Sequence, residues 1–261
     1  MRASTKIWGG LTVLVWCGAV VAPWLAPLAG DPRTTAAFAY AAGGPAALGH
    51  DYLGRPVLPQ LLEGGQALLL AAFATAVCSQ GAGLALGLWL ATRARGNAAV
   101  RFALDVILVV PVIVGSLVAY QVAGASLVAT IPVATALTLP FTSRYYRAAA
   151  EPLLGTAFFE QARVAGDRTG VAVVREVVPV LLRPILADLG LATITALYLM
   201  ATISFLGTSN NETSFLWPTM VARNLDGLTL NPWAVLAPLS AMVALTVTVN
   251  LFVNSLGGRH G

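Results

Sequence analysis

The side chains that could carry out chemistry are few in this 261-residue chain, and they do not form a catalytic set. One imidazole and one carboxylate, His50 and Asp51, stand together, but two ligands make an incomplete metal site. The two cysteines, Cys17 and Cys78, lie in separate apolar runs without the CxxC spacing of a redox or metal motif. The pattern therefore predicts no catalytic residue, no set of metal ligands and no cofactor bound by this chain.

Nucleotide binding through a phosphate-binding loop is also excluded. The GxxxxGK[ST] motif needs a lysine that reaches the phosphates of ATP. Lys6 is the single lysine of the chain, and it adjoins no glycine-rich loop, so the motif cannot occur. If ATP drives the activity of this chain, a partner must bind it.

Two aspartates stand out because they border long apolar runs, and a carboxylate at the centre of a bilayer costs about 2.5–3.5 kcal/mol. Asp105 lies one helical turn after Arg101, so it is predicted to pair with Arg101 or to make a contact across helices. Asp188 precedes an apolar run, where its charge would favour the N-terminal end of a helix. For both aspartates, a role in a substrate path is the alternative interpretation.

The elements that must position these residues follow from an apolar composition. Hydrophobic residues make up 57% of the chain and charged residues 10%, whereas an average soluble domain is about 25% charged. The mean hydropathy is +0.79. So few charges cannot cover a water-exposed surface, which excludes an ordinary cytosolic enzyme, a disordered chain and a nucleic-acid-binding domain. The sequence predicts a polytopic, all-α membrane protein that contacts the lipid bilayer and no nucleic acid.

Charge-free runs predict six membrane-spanning helices. The run between Asp105 and Arg144 is too long for one helix and suits two, with a break near residues 124–126. A secretory signal peptide is the alternative for the first run, but Pro27 stands at position −3 of its candidate cleavage site, where a small residue is usual. The predicted spans, within a single domain of residues 1–261, are 7–29, 67–91, 102–120, 124–141, 185–206 and 233–256.

Lysine and arginine are distributed unequally between the two sides that six spans define. Twelve of them lie on the side of both termini and three on the other side. Cytoplasmic loops carry the excess of Lys and Arg, so both termini are predicted to be cytoplasmic. The same assignment gives external loops at 30–66 and 207–231 and a cytoplasmic loop at 143–184.

The cytoplasmic loop 143–184 is far longer than a connector between neighbouring helices needs to be, which indicates a function. Its segment 160–166 predicts a short helix that ends at a glycine with positive φ. Glu160, Arg163 and Asp167 are spaced i, i+3, i+7, so they are predicted to share a polar face.

An apolar side of the same short helix is predicted from Phe158, Phe159 and Ala162. The following stretch, Val171–Val178, predicts a second helix that stops at Pro179. The residues alone leave two interpretations open. One is a helix-turn-helix below the bilayer that offers a knob to a soluble partner, and the other is an amphipathic loop that rests on lipid headgroups.

The same loop resembles the cytoplasmic signature of the permease subunits of binding-protein-dependent ABC importers. That signature is E-A-A, then a glycine at the seventh position and a proline thirteen residues beyond the glycine. Glu160-Gln161-Ala162, Gly166 and Pro179 occupy these positions with the spacing intact. Gln161 departs from the usual Ala, and Val178 departs from the usual Leu before the proline.

Further stretches resemble the peptide/nickel branch of these permeases in the correct order along the chain. On these motifs the chain is identified as a member of that branch, of the second-permease type. Departures lie on the external side, where 208–212 replaces a proline-rich stretch and Pro218 replaces a usual glycine. The matching stretches are Leu48–Leu58 (LGHDYLGRPVL), Arg101–Asp105 with Pro111, Ser204–Gly207 (SFLG), Trp217 with Met220, and Pro232-Trp233.

The resemblance implies the type I importer permease fold and a non-catalytic subunit in the bacterial cytoplasmic membrane. It implies a second homologous permease that completes a translocation pathway, two ATPase subunits that bind ATP and Mg, and an external solute-binding protein. The implied cargo is a di- or oligopeptide, with nickel, another metal chelate or a haem-like solute as the alternative. A stand-alone secondary transporter is a remote alternative, because no internal repeat is visible in the sequence.

The resemblance also assigns residues to these contacts. Asp51 and Arg55 are expected to fix the external loop. The whole set expected at the external loop or its partner contact is Asp51, Gly54, Arg55 and Trp217. The residues expected at the ATPase contact are Phe159, Glu160, Gln161, Ala162, Arg163, Gly166, Asp167 and Pro179.

Overall fold

The chain is almost entirely helical in the computed structural model, which describes residues 3–35, 37–41, 46–93, 98–124, 126–207 and 215–257. Within these ranges the single β feature is an isolated bridge between His50 and Pro56, so the predicted all-α class is confirmed. The helices are α1 Ala3–Ala29, α2 Val57–Thr92, α3 Ala98–Ile107, α4 Val112–Val122, α5 Leu127–Leu154, α6 Ala157–Val164, α7 Thr169–Ala172, a π-helical turn Val173–Val177, α8 Val178–Leu206, α9 Trp217–Asn224, a 3₁₀-helical turn Leu225–Gly227 and α10 Trp233–Gly257.

Four helices are long and apolar enough to cross a bilayer, and the bent pair of α3 and α4 is a fifth candidate by length and composition. The 28-residue helix α5 is not among these candidates, because Arg144 ends its uncharged run, and two prolines and four threonines make that run less apolar. The six-span count and the cytoplasmic position of both termini stay predictions. The four spans are Ile7–Ala29, Val57–Thr92, Pro184–Leu206 and Trp233–Ser255.

The predicted third span, 102–120, is not one continuous helix. α3 ends at Ile107, α4 begins at Val112, and the two helices are bent by 75°. Pro111 causes the break, because it has no N–H to donate and disfavours helical backbone in the residue before it. It lies at the N-cap of α4 with extended backbone, φ −60° and ψ 125°.

A second break separates α4 from α5 at the predicted place. Gly124 follows α4 with φ +66°, and Ser126 caps α5 by accepting a hydrogen bond from the Ala129 N–H at 3.4 Å. Residue 125, also part of the predicted break, lies outside the described residues. Capping by a serine hydroxyl satisfies one of the free N–H groups at the start of a helix.

Three helices extend well beyond the charge-free runs from which their spans were predicted. α2 begins at Val57 and not near 67, α5 continues to Leu154 and not to 141, and α8 begins at Val178 and not at 185. Backbone hydrogen bonding continues after a helix leaves the apolar layer, so charges mark the edge of the membrane and not the end of the helix. Most of the predicted cytoplasmic loop is consequently helical.

Helix α2 lies at the centre of the bundle and packs along α5, α1 and α8. Two glycines allow its approach to α5. A Cβ on Gly83 would lie 2.2 Å from Thr142 Oγ1, and a Cβ on Gly87 would lie 2.6 Å from the carbonyl oxygen of Ser143. The small-xxx-small spacing therefore serves close helix packing, as the sequence predicts. The core around α2 includes Leu68, Leu69, Tyr120, Met200, Ile203 and Leu245.

Candidate functional site

The short helix α6 is held by a second apolar cluster, separate from the main core. Phe159 is 9% exposed and packs with residues of α5, of the π-helical turn and of the start of α8. The partly buried Ala162 packs on the same cluster. These side chains join α6 to two long helices, α5 and α8. The buried members are Ala150, Phe159, Ala172, Val173, Val177 and Leu181.

The free side of α6 carries exposed apolar side chains. Phe158 is 73% exposed and Val164 is 89% exposed. Of the two adjacent phenylalanines, Phe159 packs in the cluster and Phe158 does not. The predicted apolar side of Phe158, Phe159 and Ala162 is therefore wrong for Phe158. Phe158, Glu160 and Val164 thus form an exposed surface of α6, which we call the tip of α6.

Helix α6 ends as predicted before Gly166, which has φ +96°. The Gly166 N–H donates to the Arg163 carbonyl and the Asp167 N–H donates to the Ala162 carbonyl, each at an N···O distance of 3.1 Å. This pair of bonds is a Schellman motif, in which a glycine supplies the left-handed residue after the helix. The motif reverses the chain directly after α6.

Glu160, Arg163 and Asp167 do not share one face, so that prediction is wrong. α6 ends before Asp167 is reached, and the reversal moves this aspartate off the helix. The Arg163 guanidinium donates to the hydroxyl of Thr169. Asp167 faces the Arg175 guanidinium at 3.9 Å. These contacts tie the turn after α6 to α7 and to the π-helical turn.

Pro179 does not end a helix, contrary to the prediction for 171–178. It lies at the second residue of α8, which follows the π-helical turn without a break. α7 and the π-helical turn lead directly into α8. A π-helical turn shifts the backbone hydrogen bonds by one residue, and such turns are frequent at functional sites.

Asp51 is 1% exposed and organises the external loop from the inside. Its Oδ1 accepts hydrogen bonds from the backbone N–H groups of Leu53 at 2.9 Å and Arg55 at 2.8 Å, and its Oδ2 accepts from Gln60 Nε2 at 3.0 Å. Gly54 has φ +73°, and a Cβ there would lie 2.0 Å from a backbone carbonyl oxygen. Asp51 and Gly54 thus fix the loop, and Arg55 takes part through its backbone.

Trp217 is buried, with 5% of its surface exposed. Its Nε1 donates to the Leu61 carbonyl at 2.8 Å. Its ring covers Gly65, where a Cβ would come within 2.4 Å of the ring. Trp217 therefore joins α9 to α2.

Two buried asparagines tie the external segments together, and the sequence analysis misses both. Asn224 Oδ1 accepts from the Tyr52 N–H at 3.0 Å. Asn231 Nδ2 donates to the carbonyls of Leu48 at 3.0 Å and His50 at 2.9 Å. Each asparagine is 1% exposed. Their partners are 172 to 183 residues away in the sequence, so no local pattern points to these bonds.

Asp105 forms an ion pair with Arg144 of α5. Of the interpretations left open by the sequence, the contact across helices is the one that the structure shows, and Arg101 is not the partner. Both paired side chains are more than half exposed. Neither residue lines the cavity that lies between α2, α4, α5 and α8.

A cavity of about 570 Å³ lies between α2, α4, α5 and α8. Asp188 is the one charged residue among the described residues that line it. The aromatic residues of the wall are Phe141, Tyr145 and Tyr198. Its hydroxyl-bearing residues, apart from these tyrosines, are Thr75, Ser79, Thr138, Thr142, Thr195 and Thr202.

Asp188 lies ten residues inside α8, so the predicted interaction with the helix N-terminus is wrong. α8 begins at Val178, so its helical backbone starts well before the apolar run that follows Asp188. The half-buried carboxylate of Asp188 lies beside the side-chain amide of Gln80 on α2. It also lies 3.5 Å from the hydroxyl of Tyr146 on α5. The structure thus brings Asp188 to the cavity, which agrees with the alternative interpretation.

One stripe of α8 supplies a wall of this cavity. Asp188, Leu191, Thr195, Tyr198 and Thr202 all line it, and they are spaced by three or four residues. Residues at this spacing share one face of a helix. In the sequence, this face is marked by polar residues at helical spacing within an apolar run. An analysis that considers only charged residues does not detect this face.

The chain has clear similarity to a known protein family. The model of the family described as "Binding-protein-dependent transport system inner membrane component" matches residues 83–259, which is more than half of the chain. The matched residues contain α6 and all of α4, α5 and α8, three of the four helices around the cavity.

Individual relatives are similar over most of their length. A putative peptide transport system permease protein of Brucella suis biovar 1 (strain 1330) is 28% identical over 257 residues, which cover 98% of this chain and 86% of that protein. The di/tripeptide transport system permease protein DppC of Pseudomonas aeruginosa (strain UCBPP-PA14) is 27% identical over 260 residues, covering 95% and 85%. A putative peptide permease protein of Brucella abortus biovar 1 (strain 9-941) is 28% identical over 211 residues, covering 80% and 70%.

Proposed function

This chain belongs to the family of binding-protein-dependent transport system inner membrane components, and on that premise we propose that it is a permease subunit of an ATP-driven importer of di- or oligopeptides. Membership in the family, together with several apolar helices, confirms the predicted multi-pass location in the inner membrane. The observation that carries the proposal is the family match, because it spans both α6 and most of the cavity wall. The relatives described above are named for peptide transport, which supports peptides as the cargo.

We assign the cavity between α2, α4, α5 and α8 to one half of a translocation pathway. Its volume of about 570 Å³ lies within the range of small-molecule sites, about 300–1,000 Å³. Leu191 and Tyr198 of its wall are 48% and 56% exposed, so this side of α8 is open in the single chain. A second homologous permease packing on that side would complete the pathway.

We assign the contact with the ATPase subunits to the tip of α6. Phe158, Glu160, Gln161 and Val164 are exposed there, whereas Phe159 is held in the apolar cluster. Binding of ATP and Mg to the ATPase subunits would move α6. The ATP would be bound by those subunits, because this chain has no phosphate-binding loop of its own. The cluster would pass the movement to α5 and α8 as rigid bodies, which is alternating access.

We assign the delivery of substrate to an external solute-binding protein. The loop held by Asp51, Asn224 and Asn231 supplies an ordered surface for its docking. Residues 208–212, where the sequence departs from the family, lie outside the described residues. Pro218, the other departure, is buried in the first turn of α9.

The proposal is tested by co-expressing the chain with its partner permease, ATPase subunits and binding protein, and reconstituting the purified complex in liposomes. We expect the ATPase to co-purify with the chain and labelled di- and tripeptides to enter the liposomes only with ATP. Nickel, a nickel chelate and haem serve as competitors. Purification of the chain without an ATPase would contradict the proposal. Uptake that is inhibited by a metal chelate but by no peptide would contradict it as well.

A further inference from the structure

Asp188 gives the cavity between α2, α4, α5 and α8 an acidic side chain. Among the described residues that line it, Asp188 is the only carboxylate, and none is lysine or arginine. A carboxylate in a largely apolar surrounding is costly unless a cation or several hydrogen-bond donors accompany it. The donors near Asp188 are the Gln80 amide and the Tyr146 hydroxyl, the latter at 3.5 Å.

A second observation at the same place is an unused acceptor. Gln80 lines the cavity and is 6% exposed, and its Oε1 is buried without a hydrogen-bond partner among the described residues. Buried polar atoms are almost always hydrogen-bonded, so this acceptor lacks a partner, and a rotation of the buried Gln80 amide would present it to a ligand with N–H or O–H groups. Gln80 and Asp188 line the same cavity, with the Gln80 amide beside the carboxylate.

We propose that Asp188 and Gln80 form a subsite for a primary ammonium group of the transported substrate, which for a peptide is its free amino terminus or a lysine side chain. This inference rests on the proposed function. An ammonium group has three N–H donors and a positive charge, which match a carboxylate oxygen and an amide oxygen side by side. The rings of Tyr145 and Tyr198 line the same cavity and can stabilise a cation over their faces.

A bound metal ion is a poorer match to these groups. Calcium takes about six to eight oxygen ligands, and magnesium requires near-octahedral coordination. One carboxylate and one amide oxygen do not supply this number. The apolar parts of the wall, Val112, Ile113 and Leu191, instead suit the side chains of a short peptide.

The test compares uptake of Ala-Ala, N-acetyl-Ala-Ala and N-acetyl-Lys-Ala by the complete reconstituted importer. The binding protein is the same in every sample, so its own preference cancels when variants are compared. We expect Asp188→Asn to lower the uptake ratio of Ala-Ala to N-acetyl-Ala-Ala about tenfold, the loss of one charge-assisted hydrogen bond. N-acetyl-Lys-Ala separates the two sources of ammonium. Its amino terminus is blocked, so only its lysine side chain can occupy the subsite.

Two variants serve as references. Asp105→Asn removes a carboxylate outside the cavity and should leave the ratio unchanged. Asp188→Glu keeps the charge and should restore part of the ratio.

If Asp188→Asn does not assemble, as judged by ATPase activity stimulated by the binding protein, Gln80→Leu is assessed in its place. An equal loss of both uptakes, or an unchanged ratio, would overturn the subsite and leave the transport proposal standing. Absence of uptake of every peptide by the unmodified importer would overturn both.

A measurement without the binding protein applies if the binding protein rejects acetylated peptides. Cys17 and Cys78 are replaced by serine, and Thr195→Cys, in the cavity wall, is labelled with a maleimide. We expect Ala-Ala to slow this labelling more than N-acetyl-Ala-Ala does, and Asp188→Asn to abolish the difference. Thr35→Cys, an exposed position outside the cavity, is the control, whose labelling should not respond to peptide. Equal protection by both peptides would contradict the subsite.

Discussion

At the scale of single residues, the direction of a side chain decides its role more than its type does. Asp51 and Asp188 are both aspartates beside apolar segments, yet Asp51 is enclosed by backbone N–H groups whereas Asp188 faces a cavity. Phe158 and Phe159 are neighbours in the chain, yet one is exposed and the other lies in an apolar cluster. Each pair offers matched variants.

Replacing Asp51 by alanine should destabilise the protein by about 2–4 kcal/mol, because three donors lose their acceptor in a buried place. Asp51→Asn keeps one side-chain oxygen as an acceptor and should cost less. The apparent melting temperature in detergent, followed by tryptophan fluorescence, measures the change. Asp105→Asn at an exposed pair is the control, and a larger effect there than at Asp51 would contradict the buried role.

The adjacent phenylalanines should respond to alanine in opposite ways. Phe159→Ala should lower the apparent stability by about 3 kcal/mol, because the ring fills the apolar cluster. Phe158→Ala should leave stability unchanged and lower ATP-driven peptide uptake several-fold, because the exposed ring is proposed to contact the ATPase. Melting curves and uptake assays on both variants check this pattern. Full uptake by Phe158→Ala would refute the assignment of the contact to this ring.

At the scale of helices, close approach and breaks shape the bundle. α2 approaches α5 through two glycines, and Pro111 divides one predicted span into α3 and α4. The extension of α5 and α8 beyond the apolar layer supplies the surface on which α6 is held. The elements of the membrane layer and those of the proposed ATPase contact are therefore parts of the same long helices.

Gly83→Ala should destabilise the packing of α2 on α5 by about 1–3 kcal/mol, since its Cβ would lie 2.2 Å from Thr142 Oγ1. Gly81, two residues earlier on the same helix, has no atom within 4 Å of such a Cβ. Gly81→Ala should therefore be neutral or slightly stabilising, because alanine favours helix. The yield and the apparent melting temperature of the two variants separate packing from helix propensity. Equal effects at the two positions would count against the close approach.

At the scale of the whole molecule, the two polar ends of the bundle are built differently. One end carries the loop that Asp51 fixes, and the other carries α6 with its exposed tip. The unequal distribution of lysine and arginine predicts that α6 is cytoplasmic and the Asp51 loop external.

This orientation predicts opposite accessibility of two exposed positions. In a chain with Cys17 and Cys78 replaced by serine, Thr35→Cys should react with a membrane-impermeant maleimide added outside the cytoplasmic membrane. Gln161→Cys should react only after the membrane is permeabilised. Both positions are exposed in the single chain, and the chain is expressed without its ATPase partners, so burial does not explain a failure to react. The reverse pattern would show that the orientation is inverted.

Sequence patterns predict the features that depend on neighbouring residues. The apolar composition predicts a multi-pass helical membrane protein, and the placement of Gly166 predicts the end of α6. The glycine spacing at Gly83 and Gly87 predicts close packing. Each of these follows from local physics: hydrophobic burial, helical periodicity and the freedom of glycine to adopt positive φ.

Tertiary packing decides which distant groups meet, and no local pattern specifies this. Asp105 and Arg144 are 39 residues apart, Asp188 and Tyr146 are 42 apart, and the partners of Asn231 are more distant still. The charge at Asp188 is visible in the sequence, but its place in a cavity beside Gln80 depends on how α2, α5 and α8 pack. The sequence by itself therefore determined the membrane class and the family, because composition and motif spacing are local properties. The tertiary structure alone decided the cavity and its charge, because helix packing brings together side chains from separate segments.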